Sequence, residues 1–175
     1  MLKADIIEPS TSPWASPVVL VKKKNGDFRF AVDYRRLNQV TKPMSFPLPR
    51  PDDVYDTIGE SHATIFTVLD LASGFWQIPL DQDSRAKTAF TSHSGNYQFK
   101  KLPFGLMNAP VSFQMVMTQV LRGLTWKFAL VYVDDIIIFS PDFDTHLKHL
   151  QVVFDRLCSA NLKLNHKSAT LQRKK

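Results

Sequence analysis

A chain of 175 residues with 44% hydrophobic content is long enough for one sizeable core or a two-lobed domain, and that composition is neither disordered nor membrane-like. No apolar run reaches the length of a membrane span, MLKADIIEPS lacks the apolar core of a signal peptide, and a lone Cys158 excludes a disulfide framework, so an intracellular protein, cytoplasmic or nuclear and without membrane partner, is expected. The net charge of +6 divides into +5 over residues 1–50, −4 over 51–100 and +5 over 101–175, an order that fits a polyanion held by basic flanks around an acidic centre.

The first element in chain order is a hairpin in SPVVLVKKKNGDFRFAVDYRRLN. Val18 to Val21 is an apolar strand, Asn25-Gly26 is a turn signal, and Phe28 to Val32 alternates on the return. Lys22, Lys23 and Lys24 then crowd the hairpin tip. The stretch TKPMSFPLPRPDD holds four of the 11 prolines and reads as an extended connector. Next, ATIFTVLD reads as a strand with Phe66, Val68 and Asp70 on one face and Ile65, Thr67 and Leu69 on the other, ended by Ala72-Ser73-Gly74.

MNAPVSFQMVMTQVLRGL reads as a helix capped by Asn108, with Pro110 in the first turn and Gly123 near the end. Phe113, Val116, Met117, Val120, Leu121 and Leu124 form its buried stripe. In FALVYVDDIIIFS two short apolar strands flank a tight turn that carries Asp134 and Asp135. A second amphipathic helix follows, with Leu147, Leu150, Phe154 and Leu157 on its core face and Cys158 as a small apolar helix residue. His146 and His149 have a spacing that can hold a metal, but no third ligand accompanies them, so surface histidines are expected.

Burying one unpaired carboxylate is costly, and adjacent like charges repel. Asp134 and Asp135 in an apolar run, with Asp70 at the end of another, therefore call for a cation. The order strand, helix, hairpin lets the two aspartate-bearing strands lie side by side with helices on one face. Three carboxylates without His or Cys favour Mg²⁺ or Mn²⁺ over softer metals. Two such ions about 3.5–4 Å apart are the usual apparatus for in-line displacement at phosphorus. An Asp-Asp pair alone is ordinarily a solvated turn; the apolar flanks and Asp70 move the reading toward nucleotidyl transfer.

Four segments then carry a resemblance: EPSTSPWASPVVLVKKKNGDFRFAVDYRRLN, VLDLASGFWQIPL, KTAFTSHSGNYQFKKLPFGLMNAPVSFQ and YVDDIIIFS. In this order, over about Asp5 to Asn165, the chain closely resembles the fingers and palm of reverse transcriptases from long-terminal-repeat retrotransposons of the Ty3/gypsy type. The resemblance implies an α+β fold, with a hairpin-containing fingers region at about 1–46 and 79–108. An antiparallel palm sheet backed by helices is implied at about 47–78 and 109–165, followed by a basic divergent tail at 166–175. It implies RNA-directed DNA polymerase chemistry, with dNTP and a primed RNA or DNA template as partners.

By the same resemblance, Asp70 and Asp134 hold two Mg²⁺ ions and Asp135 supports the site. Lys23 and Arg29 match the basic pair that contacts the triphosphate, and Ser73 and Gly74 lie where backbone amides receive phosphate. Phe75 matches an aromatic that clashes with a ribose 2′-hydroxyl, and Phe104 stands beside the incoming nucleotide. Arg35, Pro110, Gln114, Tyr132 and Val133 match positions near template or primer. The likeness fades at about His166, before the family's primer grip, thumb, connection and RNase H. Upstream protease and downstream integrase are also missing, and all are expected in a full-length polyprotein. The expectation is a catalytic core that extends primers weakly, if at all, by itself. Its rivals are a non-catalytic nucleic-acid-binding remnant, an RNA-synthesising polymerase and a two-metal nuclease.

Overall fold

The computed structural model describes residues 1–22, 26, 28–132, 135–165 and 169–173. In chain order its strands are β1 (Ile7–Pro9), β2 (Ser16–Lys22), β3 (Phe28–Val32), β4 (Ile65–Asp70), β5 (Phe90–Ser92), β6 (Gly95–Phe99), β7 (Ala129–Tyr132), β8 (Asp135–Ser140) and β9 (Thr170–Arg173). The helices are α1 (Arg35–Val40), α2 (Pro51–Glu60), α3 (Gly74–Gln77), α4 (Gln82–Arg85), α5 (Ala109–Val120) and α6 (Phe143–Ser159). They divide between two units: Met1–Met44 with Phe75–Ala109, and Ser45–Gly74 with Pro110–Lys175.

The first unit is built on a five-stranded sheet in the order β1-β6-β5-β2-β3. β2 and β3 form the expected hairpin, in register from Val18↔Val32 to Lys22↔Phe28. Asn25, the first residue of its turn signal, lies outside the described residues. Gly26 has φ +91, a conformation open to glycine at little cost. β2 pairs with β5 in parallel at Ser16↔Phe90 and Pro17↔Thr91, and the other pairings are antiparallel. Ile7, Val32, Tyr34, Phe90 and Phe99 form the core. Each fully buried large apolar side chain contributes about 1.5–3 kcal/mol relative to exposure. Tyr34 keeps its hydroxyl satisfied by donating to the Thr88 carbonyl at 2.8 Å, and burial pushes its pKa up.

Two asparagines organise the loops of this unit. Asn38 donates to the Gly105 carbonyl and accepts from the Met107 amide, both at 2.8 Å. Asn108 donates to the Lys42 carbonyl at 2.9 Å and accepts from the Met44 amide at 2.9 Å. Asn108 was expected to cap α5; its side chain instead fixes residues 42–44, which have no ladder partner of their own.

The second unit carries an antiparallel sheet in the order β7-β8-β4-β9. α2 packs Val54 with Ala63, Leu130 and Phe139 on one face, and the opposite face receives α6, whose His146 reaches Thr67 and Ser140. Helices thus lie on both faces of this sheet rather than one. The proline-rich connector is shorter than expected, because Pro51 opens α2 with Asp52 and Asp53 in its first turn, where acids complement the helix N-terminus.

On α6 the core face is turned from the expected one. His146, Val153 and Leu157 are buried, whereas Leu147 is 50% and Phe154 39% exposed. A polarity pattern assigns a histidine to solvent; here hydrogen bonds offset its burial, so the face rotates toward it. β9 was not anticipated: Thr170–Arg173, in the expected divergent tail, pairs with β4 from Val68↔Thr170 to Ile65↔Arg173. Among the described residues no helix is long and apolar enough to cross a membrane.

Candidate active site

The β4 alternation is as its sequence dictates: Ile65, Thr67 and Leu69 are buried, while Phe66, Val68 and Asp70 are half-buried on the other face. β8 runs antiparallel beside it, in register from Ile65↔Ser140 to Asp70↔Asp135. Asp70 and Asp135 are therefore directly opposed at the ends of their strands. Such pairs share a face, with Cβ atoms about 4.5–5.5 Å apart, and like charges so placed destabilise a sheet. Among the described residues no Lys or Arg forms an ion pair with either carboxylate. An all-oxygen pair of this kind suits a hard divalent cation. Asp134 and Val133 lie outside the described residues, and among those described no three His, Cys, Asp or Glu gather into a metal-holding group.

Asp70 is tied to a segment that the sequence reading did not single out. The Asn165 side-chain amide donates to Asp70 Oδ2 at 3.1 Å, and its backbone N–H donates to the Asp70 carbonyl at 2.8 Å. Leu71 bridges Leu164, and the Ala72 N–H donates to the Lys163 carbonyl at 3.0 Å. The alternation of Leu162 and Leu164 with Lys163 and Asn165 in NLKLN is the signal that marks an extended partner here.

Ser73 is exposed with φ 52, and this backward turn ends the β4 run. At Gly74 an added Cβ would lie 2.9 Å from the Phe113 ring, so close packing within the second unit demands glycine. In the first unit Phe75 is buried with its ring edge-on to Phe104, centroids 4.9 Å apart, and Trp76 meets Phe104 at 5.9 Å. Rings locked against one another in this way have little rotamer freedom. Of the expected triphosphate contacts, Lys23 lies outside the described residues. The Arg29 backbone sits in β3 opposite Val21.

Arg35 opens α1, and its guanidinium clasps Asp33, with Nη2 2.6 Å from Oδ2 and Nε 2.9 Å from Oδ1. This contact holds the Asp33 carboxyl down to about 2. Pro110 is exposed in the first turn of α5, and Tyr132 is exposed at the end of β7. Gln114, in contrast, is buried. Its Nε2 donates to the Val131 carbonyl at 3.3 Å, while Oε1 has no partner among the described residues. It lines a cavity of ≈ 260 Å³ together with Phe46, Pro47, Leu48, Pro49 and Trp126.

On the opposite face of the sheet, toward its Ile65↔Ser140 end, lies a largely buried polar chain. His146 is 0% exposed, so the expected surface placement does not hold. Its Nε2 is 2.7 Å from Thr67 Oγ1 and its Nδ1 2.8 Å from Ser140 Oγ, which is also 2.8 Å from His149 Nδ1. Ser140 has one hydroxyl proton and two imidazole partners, so at least one of these contacts uses a histidine N–H as donor. The His149 ring stacks on Phe128 at 3.8 Å. Burial is the first cause holding both imidazoles below their ordinary range.

The sequence model of the family described as "Reverse transcriptase (RNA-dependent DNA polymerase)" matches residues 21–174. Two Drosophila melanogaster relatives are the retrovirus-related Pol polyproteins from transposon 297, 45% identical, and from transposon gypsy, 41% identical. Each alignment takes in 94% of this chain and 16% of the relative. The prototype foamy virus protease-reverse transcriptase superposes with a TM-score of 0.88 at 30% identity, over 98% of this chain and 23% of that one. The foamy viral protein in complex with an RNA/DNA hybrid gives 0.84 at 28%, with the same shares covered. The chain therefore spans about a sixth of these Pol polyproteins and under a quarter of these foamy viral proteins. With the carboxylate pair set across β4 and β8 and the family match running from the first hairpin to β9, this chain belongs to the reverse transcriptase family.

Proposed function

We propose that this chain is the fingers-and-palm core of an RNA-directed DNA polymerase, joining dNMP from a dNTP to a primer 3′-hydroxyl on an RNA or DNA template. The observation that carries the reading is the Asp70↔Asp135 register, which opposes two like charges where no described basic side chain neutralises them. Asp70 and Asp134 would hold two Mg²⁺ ions, with Mn²⁺ as a substitute, and Asp135 would support them. Bound there, the metal supplies Lewis acidity to the primer hydroxyl and charge neutralisation to the leaving pyrophosphate.

The remaining roles belong to the chain's own groups. Lys23 and Arg29 bind the triphosphate, Arg as a donor fork and Lys as a mobile point charge. The Ser73 and Gly74 amides receive phosphate oxygens, as a turn with outward N–H groups can. Phe75, braced by Phe104, excludes the ribose 2′-hydroxyl. Arg35, Pro110, Gln114, Tyr132 and Val133 position template and primer; for Gln114 this is by supporting the Val131 backbone from within. We assign the unit of Met1–Met44 and Phe75–Ala109 to the fingers and that of Ser45–Gly74 and Pro110–Lys175 to the palm.

The foamy viral protease-reverse transcriptase, similar to this chain and solved with an RNA/DNA hybrid and with double-stranded DNA, supports the choice of template. The test is primer extension on an RNA template with dNTPs and Mg²⁺, by the chain alone and by the chain joined to the thumb region of a relative. The joined protein should extend, the chain alone only weakly, and Asp70→Asn should stop both. Extension that survives Asp70→Asn would sink the assignment.

A further inference from the structure

We infer that Asn165 is a positioning residue for Asp70, holding that carboxylate in the one orientation in which it can take a divalent cation. The inference rests on the proposed reading of Asp70 as a metal ligand and adds a residue to it. Left alone, Asp70 would turn from Asp135, because the two negative groups are directly opposed in the ladder. The Asn165 amide opposes that rotation by donating to Oδ2 at 3.1 Å, which leaves the Oδ1 lone pairs for the cation.

The donor is itself held. Asn165 makes a second bond to the same residue, backbone N–H to the Asp70 carbonyl at 2.8 Å, so its side chain starts from a fixed point. The route that delivers it is short. α6 ends at Ser159, and Asn161 takes φ 56 to reverse the chain. The Leu162 N–H then returns to the Leu157 carbonyl at 2.9 Å, and residues 163–165 run along the end of β4. The end of α6 thereby sets the aim of a carboxylate on a strand 95 residues earlier in sequence. Outer donors that orient a ligand are worth about 10–100-fold in metal affinity.

The experiment is a Mn²⁺ titration of the 175-residue chain, followed by loss of the free-ion electron paramagnetic resonance signal, with circular dichroism as a check on folding. Four variants are compared with the parent: Asp70→Asn, Asn165→Ala, Asn165→Leu and Leu164→Ala. Asn165→Leu keeps the branching at Cγ and removes the donor, in case the smaller alanine side chain loosens the strand. Leu164→Ala disturbs the same segment without touching the amide.

The expected result is Mn²⁺ binding that Asp70→Asn abolishes, that both Asn165 variants weaken about tenfold, and that Leu164→Ala changes by less than about twofold. Unchanged binding in folded Asn165 variants, with Asp70→Asn still abolishing it, would overturn the inference and leave the metal reading standing. Equal weakening by Leu164→Ala and Asn165→Ala would also overturn it, reducing the segment to a structural strand. Binding indifferent to Asp70→Asn would remove the metal reading and the inference with it.

Discussion

The two units handle polar groups in opposite ways. In the first, charges pair at or near the surface: Arg35 with Asp33, Arg85 with Glu8 and Lys100 with Asp5, and its apolar core holds the bonded Tyr34 hydroxyl, while the buried Trp76 Nε1 has no partner among the described residues. In the second, the polar chain Thr67, His146, Ser140 and His149 runs through the interior, and Asp70 and Asp135 face each other across a ladder. Surface pairs are tolerant because water substitutes for a lost partner. Interior chains are not, because each group left unpaired bears its full desolvation cost. Sensitivity to substitution should therefore concentrate in the second unit.

The largest expected effect is chemical. Asp70→Asn in an actively extending, thumb-bearing form should lower primer extension by about a hundredfold or more, the scale seen when one preorganised electrostatic partner is removed. The check is a steady-state rate at saturating dNTP. Next comes the interior chain. His146→Ala should cost about 2–4 kcal/mol, combining a cavity with an unpaired Thr67 hydroxyl and a Ser140 hydroxyl left to His149 alone, and is read by urea unfolding. If it costs no more than an exposed substitution, the contrast between the units is lost.

A third effect belongs to the first unit and tests function more than folding. Phe75→Val should raise rNTP use relative to dNTP by about tenfold, since removing a clash changes discrimination more than overall binding. A constant ratio would make Phe75 a core aromatic and nothing more. Smaller again is the pH response of the second unit. His146 and His149 are held below the ordinary 6.5, burial being the first cause. Above 6.5 both are neutral in either state. As pH falls through 6.5 the unfolded chain binds protons that the fold refuses, so stability declines from there toward acid. His146→Gln should flatten that decline in a series of urea melts. The smallest effect is Arg35→Ala: the guanidinium is exposed, so solvent screens most of its hold on the half-buried Asp33, and the melting temperature should fall only slightly, by less than for His146→Ala.

Much of this was legible in the residues. Strict alternation in IFTVLD and the apolar flanks of the Asp-Asp pair give β4, β7 and β8 and put Asp70 beside Asp135, because side-chain period and register leave few alternatives. The hairpin β2–β3 was equally plain from Asn25-Gly26. Less readable were features that depend on distant partners. His146 looks like a surface residue until Thr67 and Ser140 are brought to it, and Asn108 looks like a helix cap until residues 42–44 compete for its amide. α2 was hidden by its prolines, one of which turned out to be a helix opener. Asn165 carried only a weak alternation, and its bond to Asp70 appears once α6 has folded and turned.

β9 has a consequence for solubility. β4 carries Asp70 and has β8 on one side; β9 occupies the other through four register pairs, Val68↔Thr170 to Ile65↔Arg173. Without those four residues the outer edge of β4 would present a row of unpaired amides and carbonyls flanked by Ile65, Phe66 and Val68, which is a template for a second chain to dock upon. A version shortened to Asn165 should retain its carboxylates but self-associate, eluting early and with concentration dependence in gel filtration. A basic, divergent tail thus covers the open edge of the strand that carries Asp70.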